Sequence, residues 1–210
     1  MTRVAIVGAG PAGIAAADVL VAHGLTPVVI DEGLRPGGQI YRQPRPGLRL
    51  DIEAVLGAEA GNYRRTHATF QNLKDRVDYR PRTLAWAIED RTLHTVQDNA
   101  AATVGFDAII LATGATDRTL PVQGWTLPGV FTLGGAQVLL KEHGCLIGRR
   151  IVFCGSSPLL YLAAEQYRQM GAEIAAILDT TPLAAKVAAA GDLMAAPGTF
   201  WRGLGYMAAL

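Results

Sequence analysis

Gly8, Gly10 and Gly13 stand where a short apolar run, Val4-Ala5-Ile6-Val7, gives way to a segment of helical pattern that stops at Gly24. Glycines at this spacing let a chain turn tightly, bring a ligand close to bare backbone and pack a helix against its strand. The chemistry they allow is capture of a pyrophosphate. The start of a helix carries roughly half a positive charge, and its free N–H groups point at whatever sits there. Pro11 suits a first helical position, where its missing N–H costs nothing. A second apolar run, Val28-Val29-Ile30, ends on Asp31 and Glu32. Asp31 lies 23 residues past Gly8, where a ribose hydroxyl needs an acceptor. Strand, glycine turn, helix, strand and acid, in that order, make a dinucleotide-binding βαβ unit.

Two further small-residue turns point at the same ligand. Gly37-Gly38-Gln39 follows the acid-tipped strand directly, and the prolines around it exclude a helix over Gly33–Gly38. Ala108-Ile109-Ile110-Leu111 reads as a buried parallel strand that ends in Ala112-Thr113-Gly114. Small residues at the carboxyl end of such a strand admit a cofactor to the backbone. Placed about 75 residues after the Gly37-Gly38 turn, this segment indicates FAD. Arg42, one of four arginines between Gly33 and Leu50, is a candidate to face a phosphate or a partner subunit, whereas Arg45 and Arg49 read as solvated. The four histidines are scattered, and Cys145 and Cys154 match neither a CxxC nor a zinc pattern. Cys154 lies in an apolar run and is expected to be buried and inert. No general acid, base, nucleophile or metal ligand is indicated, so a flavin would carry the chemistry and the protein would supply position and electrostatics.

The elements that must hold these turns follow from the rest of the chain. The 210 residues, half of them apolar, suffice for a large core. A formal net charge of +1 argues against a general polyanion-binding surface such as nucleic acids require. No run of about 18 apolar residues occurs that would span a membrane, and without an export signal the expected compartment is the cytoplasm. Residues 52–76 read as partly helical with a break near Gly61. Leu84–Ile88, Leu93–Val96 and Thr103–Phe106 have strand character, and Asp90-Arg91 and Asp98-Asn99 supply turns between them, as in an antiparallel meander. Trp86 within it is expected to pack rather than to touch a ligand.

The opening pattern recurs from Arg150 to Asp179. Gly8 maps to Gly155, Pro11 to Pro158 and Gly24 to Gly171 at an offset of 147, and Asp31 maps to Asp179 with one extra residue. Gly10, however, maps to Ser157 and Gly13 to Leu160. The scaffold is repeated without the glycines that admit pyrophosphate, so poor nicotinamide nucleotide binding is expected there. Thr180–Leu210 is Ala/Gly-rich with weak periodicity. A second unit left with two strands reads as part of a longer protein.

The fold class expected is α/β: a Rossmann-like FAD-binding βαβ domain with an antiparallel meander inserted (1–120), a connection (121–148) and the first part of a second, NAD(P)-type Rossmann-like domain (149–210). This resembles the two-dinucleotide-binding-domain flavoproteins of the pyridine nucleotide-disulfide oxidoreductase kind. The segments GAGPAGIAAA, VVIDEGLRPGGQIYRQP, ATGATDRTLPVQGWTLPGVFTLGGAQ and GSSPLLYLAAEQ resemble more narrowly the α (A) subunits of opine oxidases, hydrogen cyanide synthase and hydroxyproline dehydrogenases. The resemblance implies FAD contacts at Gly8, Gly10, Pro11, Ala12, Gly13, Asp31, Glu32, Gly37, Gly38, Gln39, Ala112, Thr113 and Gly114, with Ala85 meeting an adenine through its backbone. It implies an oxidoreductase subunit with an electron-transfer role, working beside an amino-acid-oxidase-like flavoprotein subunit that oxidises the substrate amine. The branch's closing FAD segment and cysteine-rich domain have no counterpart in these residues, so no iron–sulfur centre is expected. A self-sufficient NAD(P)H-dependent reductase is the alternative among enzymes, and a non-catalytic scaffold remnant the alternative outside them. The disulfide reductases share the architecture but need a cysteine pair that is missing after Gly37-Gly38.

Overall fold

The computed structural model describes residues 2–194 together with 198, 201, 203 and 205. The chain divides into two compact units, one formed by the residues up to Arg45 with Ala58–Thr116, the other by Pro46–Gly57 with the described residues from Asp117 onward.

The first unit is built on a four-stranded parallel sheet in the order β3-β2-β1-β7. Strand β1 (Val4–Val7) leads through the glycine turn into α1 (Pro11–Ala22), and β2 (Val28–Ile30) returns beside it with Ala5 opposite Val28. β7 (Ala108–Leu111) pairs on the other side of β1, with Val7 opposite Leu111. Both faces of this sheet are covered, which is why β1 and β2 are continuous apolar runs rather than alternating ones. On one face Ile6 and Val29 pack with Ile14, Ala17 and Val21 of α1 and with Phe70 and Leu73 of α3 (Ala60–Leu73). On the other, Val28 and Ile30 pack with Leu93 and Val104 of the meander formed by β4 (Thr83–Glu89), β5 (Thr92–Gln97) and β6 (Ala100–Gly105). Each of these large side chains contributes roughly 1.5–3 kcal/mol on burial. The meander turns fall at Asp90 (φ +51°) and at Asp98-Asn99 (φ +48° and +63°), residues whose short polar side chains tolerate left-handed backbone.

Three local expectations change. The break in the 52–76 segment falls at Gly57, whose φ of +53° ends α2 (Ile52–Leu56), whereas Gly61 lies inside α3 with open space around it. A strand absent from the sequence reading, β3 (Asp78–Arg80), adds to the edge of the sheet beside β2. Trp86 is 59% exposed and meets the ring of His94 at 5.3 Å.

In the second unit, β8 (Arg150–Gly155) and β9 (Glu173–Asp179) run parallel, with α5 (Leu159–Gln169) crossing between them. Ile151 and Phe153 are buried, and Phe153 meets Tyr167 of α5 edge-on at 5.7 Å. The Tyr167 hydroxyl donates to the carbonyl of Ala136 on α4 (Leu133–His143) at 2.9 Å. Cys154, expected to be buried, is exposed. The strand alternates, and its second face, carrying Val152 and Cys154, has no covering layer among the described residues. Helix α6 (Leu183–Met194) follows β9. Among the described residues no helix is long and apolar enough to cross a membrane.

Candidate functional site

Three loops of the first unit converge at the carboxyl ends of β1, β2 and β7. The turn after β1 is fixed by Gly8 and Gly13, where an added side chain would meet backbone. Gly8 has φ +106°, and a Cβ there would overlap the carbonyl oxygen of Ala112 at the tip of β7. A Cβ on Gly13 would overlap the carbonyl oxygen of Gly8, so helix and strand approach as closely as backbone allows. The Ala112 amide donates to Val7 O at 2.8 Å, which ties the Ala112-Thr113-Gly114 turn to the end of β1.

Gly10 differs from its two neighbours. Its backbone is extended (φ −75°, ψ −178°), and an added Cβ would meet only the Cα of Gly38, at 3.7 Å. The protein therefore leaves open the space above Gly10 that a side chain would fill. Gly10 is also the N-cap of α1 and makes no side-chain cap bond, so no side chain competes for the first amides of the helix. Space over a bare backbone, beside uncommitted N–H groups at a helix start, suits a pyrophosphate.

The second loop leans on the first. The Gly37 amide donates to Ala9 O at 2.8 Å, and Gly38 (φ +61°) lies against Gly10 and Pro11. Gly37 (φ +120°) is hemmed in by Tyr41 and His67, and an added Cβ would overlap the Tyr41 carbonyl oxygen. His67 holds this turn from α3. Its Nε2 lies 2.9 Å from Tyr41 O and its Nδ1 3.4 Å from Gln43 Nε2, and burial moves its pKa downward. The imidazole is thus suited to act as a neutral brace, donating from Nε2. Sequence reading passed over His67 because it lies 30 residues from Gly37 and no spacing rule joins the two.

The acids at the end of β2 take different parts. Both oxygens of Asp31 are engaged by backbone: Oδ2 accepts from Ala9 N–H, and Oδ1 from Gly33 N–H at 2.6 Å. Asp31 thus binds the glycine turn to the second loop, at the strand tip where spacing places a ribose acceptor. Glu32 is exposed. Thr83 N–H donates to Asp31 O at 2.9 Å, so the meander starts at the same strand tip. Ala85, two residues on, is half-buried against the Val28–Ile30 core. Of the residues singled out in the sequence, Gly8 to Gly13, Asp31, Gly37, Gly38 and Ala112 are directly interlocked. Thr113 and Gly114 continue the third loop, Gln39 is exposed just past Gly38, and Arg42 is half-buried further along the second loop. Among the described residues no group of His, Cys, Asp and Glu could hold a metal ion.

Comparison with known proteins agrees with this geometry. The family described as pyridine nucleotide-disulphide oxidoreductase matches residues 2–192. The A-type opine oxidase subunit of Rhizobium meliloti is 40% identical over 186 residues, which cover 84% of this chain and 35% of the relative. Hydrogen cyanide synthase subunit HcnB of Pseudomonas protegens is 33% identical over 208 residues, covering 98% of this chain and 44% of the relative. The crystal structure of L-proline dehydrogenase from P. horikoshii superposes with a TM-score of 0.68 at 24% identity, over 84% of this chain and 36% of that one. This last likeness is one of fold. The chain spans well under half the length of these relatives.

Proposed function

Because the chain belongs to the pyridine nucleotide-disulphide oxidoreductase family, we propose that it is the FAD-binding part of a flavin-dependent amine or amino-acid dehydrogenase subunit. The observation that carries this reading is the open cradle over Gly10, framed by three interlocked loops in which Gly8, Gly13 and Gly37 are closed by neighbouring backbone. Relatives that are named as subunits of opine oxidase and hydrogen cyanide synthase support the oxidoreductase class and a role inside an assembly. When bound, the flavin supplies an acceptor for two electrons. The chain's own residues position it. Gly10 and the first turn of α1 hold the pyrophosphate, Gly38 and Thr113-Gly114 border it with backbone, and Asp31 keeps the loops in register.

We assign the ribose to Glu32, which is exposed beside Asp31, because each Asp31 oxygen already accepts one backbone amide and Asp31 is the less available acceptor. Glu32→Gln removes the charge of the acceptor, and losing a hydrogen bond to a charged group costs about 1.5–3 kcal/mol. We expect FAD affinity to fall roughly 10- to 100-fold, measured by flavin fluorescence quenching, with the melting temperature of the cofactor-free protein unchanged. Equal affinity in wild type and Glu32→Gln would return the ribose to another group.

In keeping with relatives that are named as subunits, substrate oxidation is assigned to a partner, an amino-acid-oxidase-like flavoprotein subunit. The purified chain should show the visible absorbance bands of bound flavin. Dye-linked amine dehydrogenase activity should appear on co-expression of the full-length subunit with such a partner. A colourless preparation that also fails to take up added FAD, or robust amine oxidation by this chain alone, would each defeat the proposal.

A further inference from the structure

We infer that the second βαβ unit is a closed copy of the first, in which Tyr161 and Lys186 occupy the acid that would otherwise meet a ribose. The unit then clamps β9 to α5 and α6 instead of binding a nicotinamide dinucleotide. The flavin reading is not needed for this inference.

The two units can be compared position by position. Asp179 ends β9 as Asp31 ends β2, and each accepts the backbone amide two residues further on, from Thr181 at 2.8 Å and from Gly33 at 2.6 Å. The second carboxylate oxygen separates them. In the first unit it takes the Ala9 amide of the glycine turn and leaves the turn free of side chains. In the second, Asp179 Oδ2 accepts the Tyr161 hydroxyl and meets Lys186 Nζ, both at 2.8 Å. Tyr161 stands at the position of Ile14, a buried core residue of α1, at the same offset of 147. Lys186 comes from the first turn of α6, its amide bonded to Pro182 O. Thr181 Oγ1 donates to Ser156 O at 3.2 Å and draws the loop after β9 onto the turn.

The turn itself has also lost the geometry of a cradle. Gly155 has no left-handed φ, and an added Cβ would meet only Leu160 Cδ1, at 3.6 Å. Leu160, which replaces Gly13, is buried there, so the helix cannot close on the strand as α1 does. Ser157, which replaces Gly10, spends its hydroxyl on the Leu159 amide at 3.2 Å and its carbonyl on the Leu160 amide at 2.9 Å. The amides that would grip a phosphate are therefore already paired. The electrostatics agree: hydrogen bonds from Lys186, Thr181 and Tyr161 hold the Asp179 carboxyl far below its ordinary range, and its hydrogen bond raises the Tyr161 phenol.

The test uses the whole 210-residue chain and three readouts. NADH and NADPH, titrated calorimetrically to submillimolar concentration, should give no saturable heat from this unit. Tyr161→Phe and Lys186→Gln should each lower the melting temperature, and the double variant should fall short of their sum because both act through Asp179. Flavin content should stay at the wild-type level in all three. Saturable binding that survives Gly10→Val and disappears in Asp179→Ala would overturn the inference, as would Tyr161 and Lys186 variants that melt like wild type. Nucleotide binding that Gly10→Val abolishes belongs to the first turn; it would count against the flavin reading and leave the clamp standing.

Discussion

Gly10→Val should purify as a folded and colourless protein. The expectation joins two facts that usually oppose each other at glycines. A residue that forbids a side chain is commonly one whose backbone or neighbours need glycine, and replacing it unfolds the protein before any ligand is lost. Gly10 needs glycine for neither reason, because its φ of −75° is open to every residue and its added Cβ would find only Gly38 Cα, at 3.7 Å. Valine is comfortable in extended backbone. What the branched side chain takes away is the space where phosphate oxygens would approach the first amides of α1. Losing two charge-assisted contacts at about 1.5–3 kcal/mol each, FAD should bind at least about 100-fold more weakly. Circular dichroism and melting of the cofactor-free forms check the fold, and flavin absorbance per chain checks the site. A Gly10→Val protein that carries wild-type amounts of flavin would move the pyrophosphate elsewhere.

The opening βαβ unit was legible to the residue because everything that determines it is local. Val4–Val7, Pro11 and Val28–Ile30 bound β1, α1 and β2 in the structure as in the pattern, since a glycine turn and an apolar run each act over a few residues. β3 escaped because Asp78-Tyr79-Arg80 is polar and sits at a sheet edge, where one side of the strand needs no apolar partner. Cys154 was misplaced for the converse reason. An apolar run implies two covered faces only when layers exist to cover them, and β8 has one such layer among the described residues. The role of Asp31 illustrates a third gap. Spacing places a carboxylate at the strand tip, but only geometry reveals that two backbone amides donate to it and tie it to the neighbouring loops. His67 shows the same gap across a longer stretch, since a brace between α3 and the Gly37 turn leaves no trace in spacing.

Gly13→Ala should be strongly destabilising, although alanine is the best helix former and Gly13 sits inside α1. In an exposed helix this change would stabilise by about 0.4–1 kcal/mol, chiefly by restricting the unfolded chain. Gly61→Ala in α3 provides that control, because nothing lies within 4 Å of its added Cβ. At Gly13 the Cβ would overlap Gly8 O, a backbone atom held by the left-handed turn and by the packing of Ala112. Rotating a side chain cannot relieve this; α1 must move away from β1 and disturb Ile14, Ala17 and Val21, all buried in the core beneath it. Overpacking of this kind costs about 3 kcal/mol, a large part of the roughly 5–15 kcal/mol that keeps a domain folded. For a chain of this size the melting temperature should fall by about 6–12 °C, read on cofactor-free protein so that lost ligand binding does not add to the shift. Gly13→Ala melting with Gly61→Ala, at or above wild type, would mean that helix and strand are not in backbone contact at this turn, and the close packing on which the cradle rests would have to be abandoned.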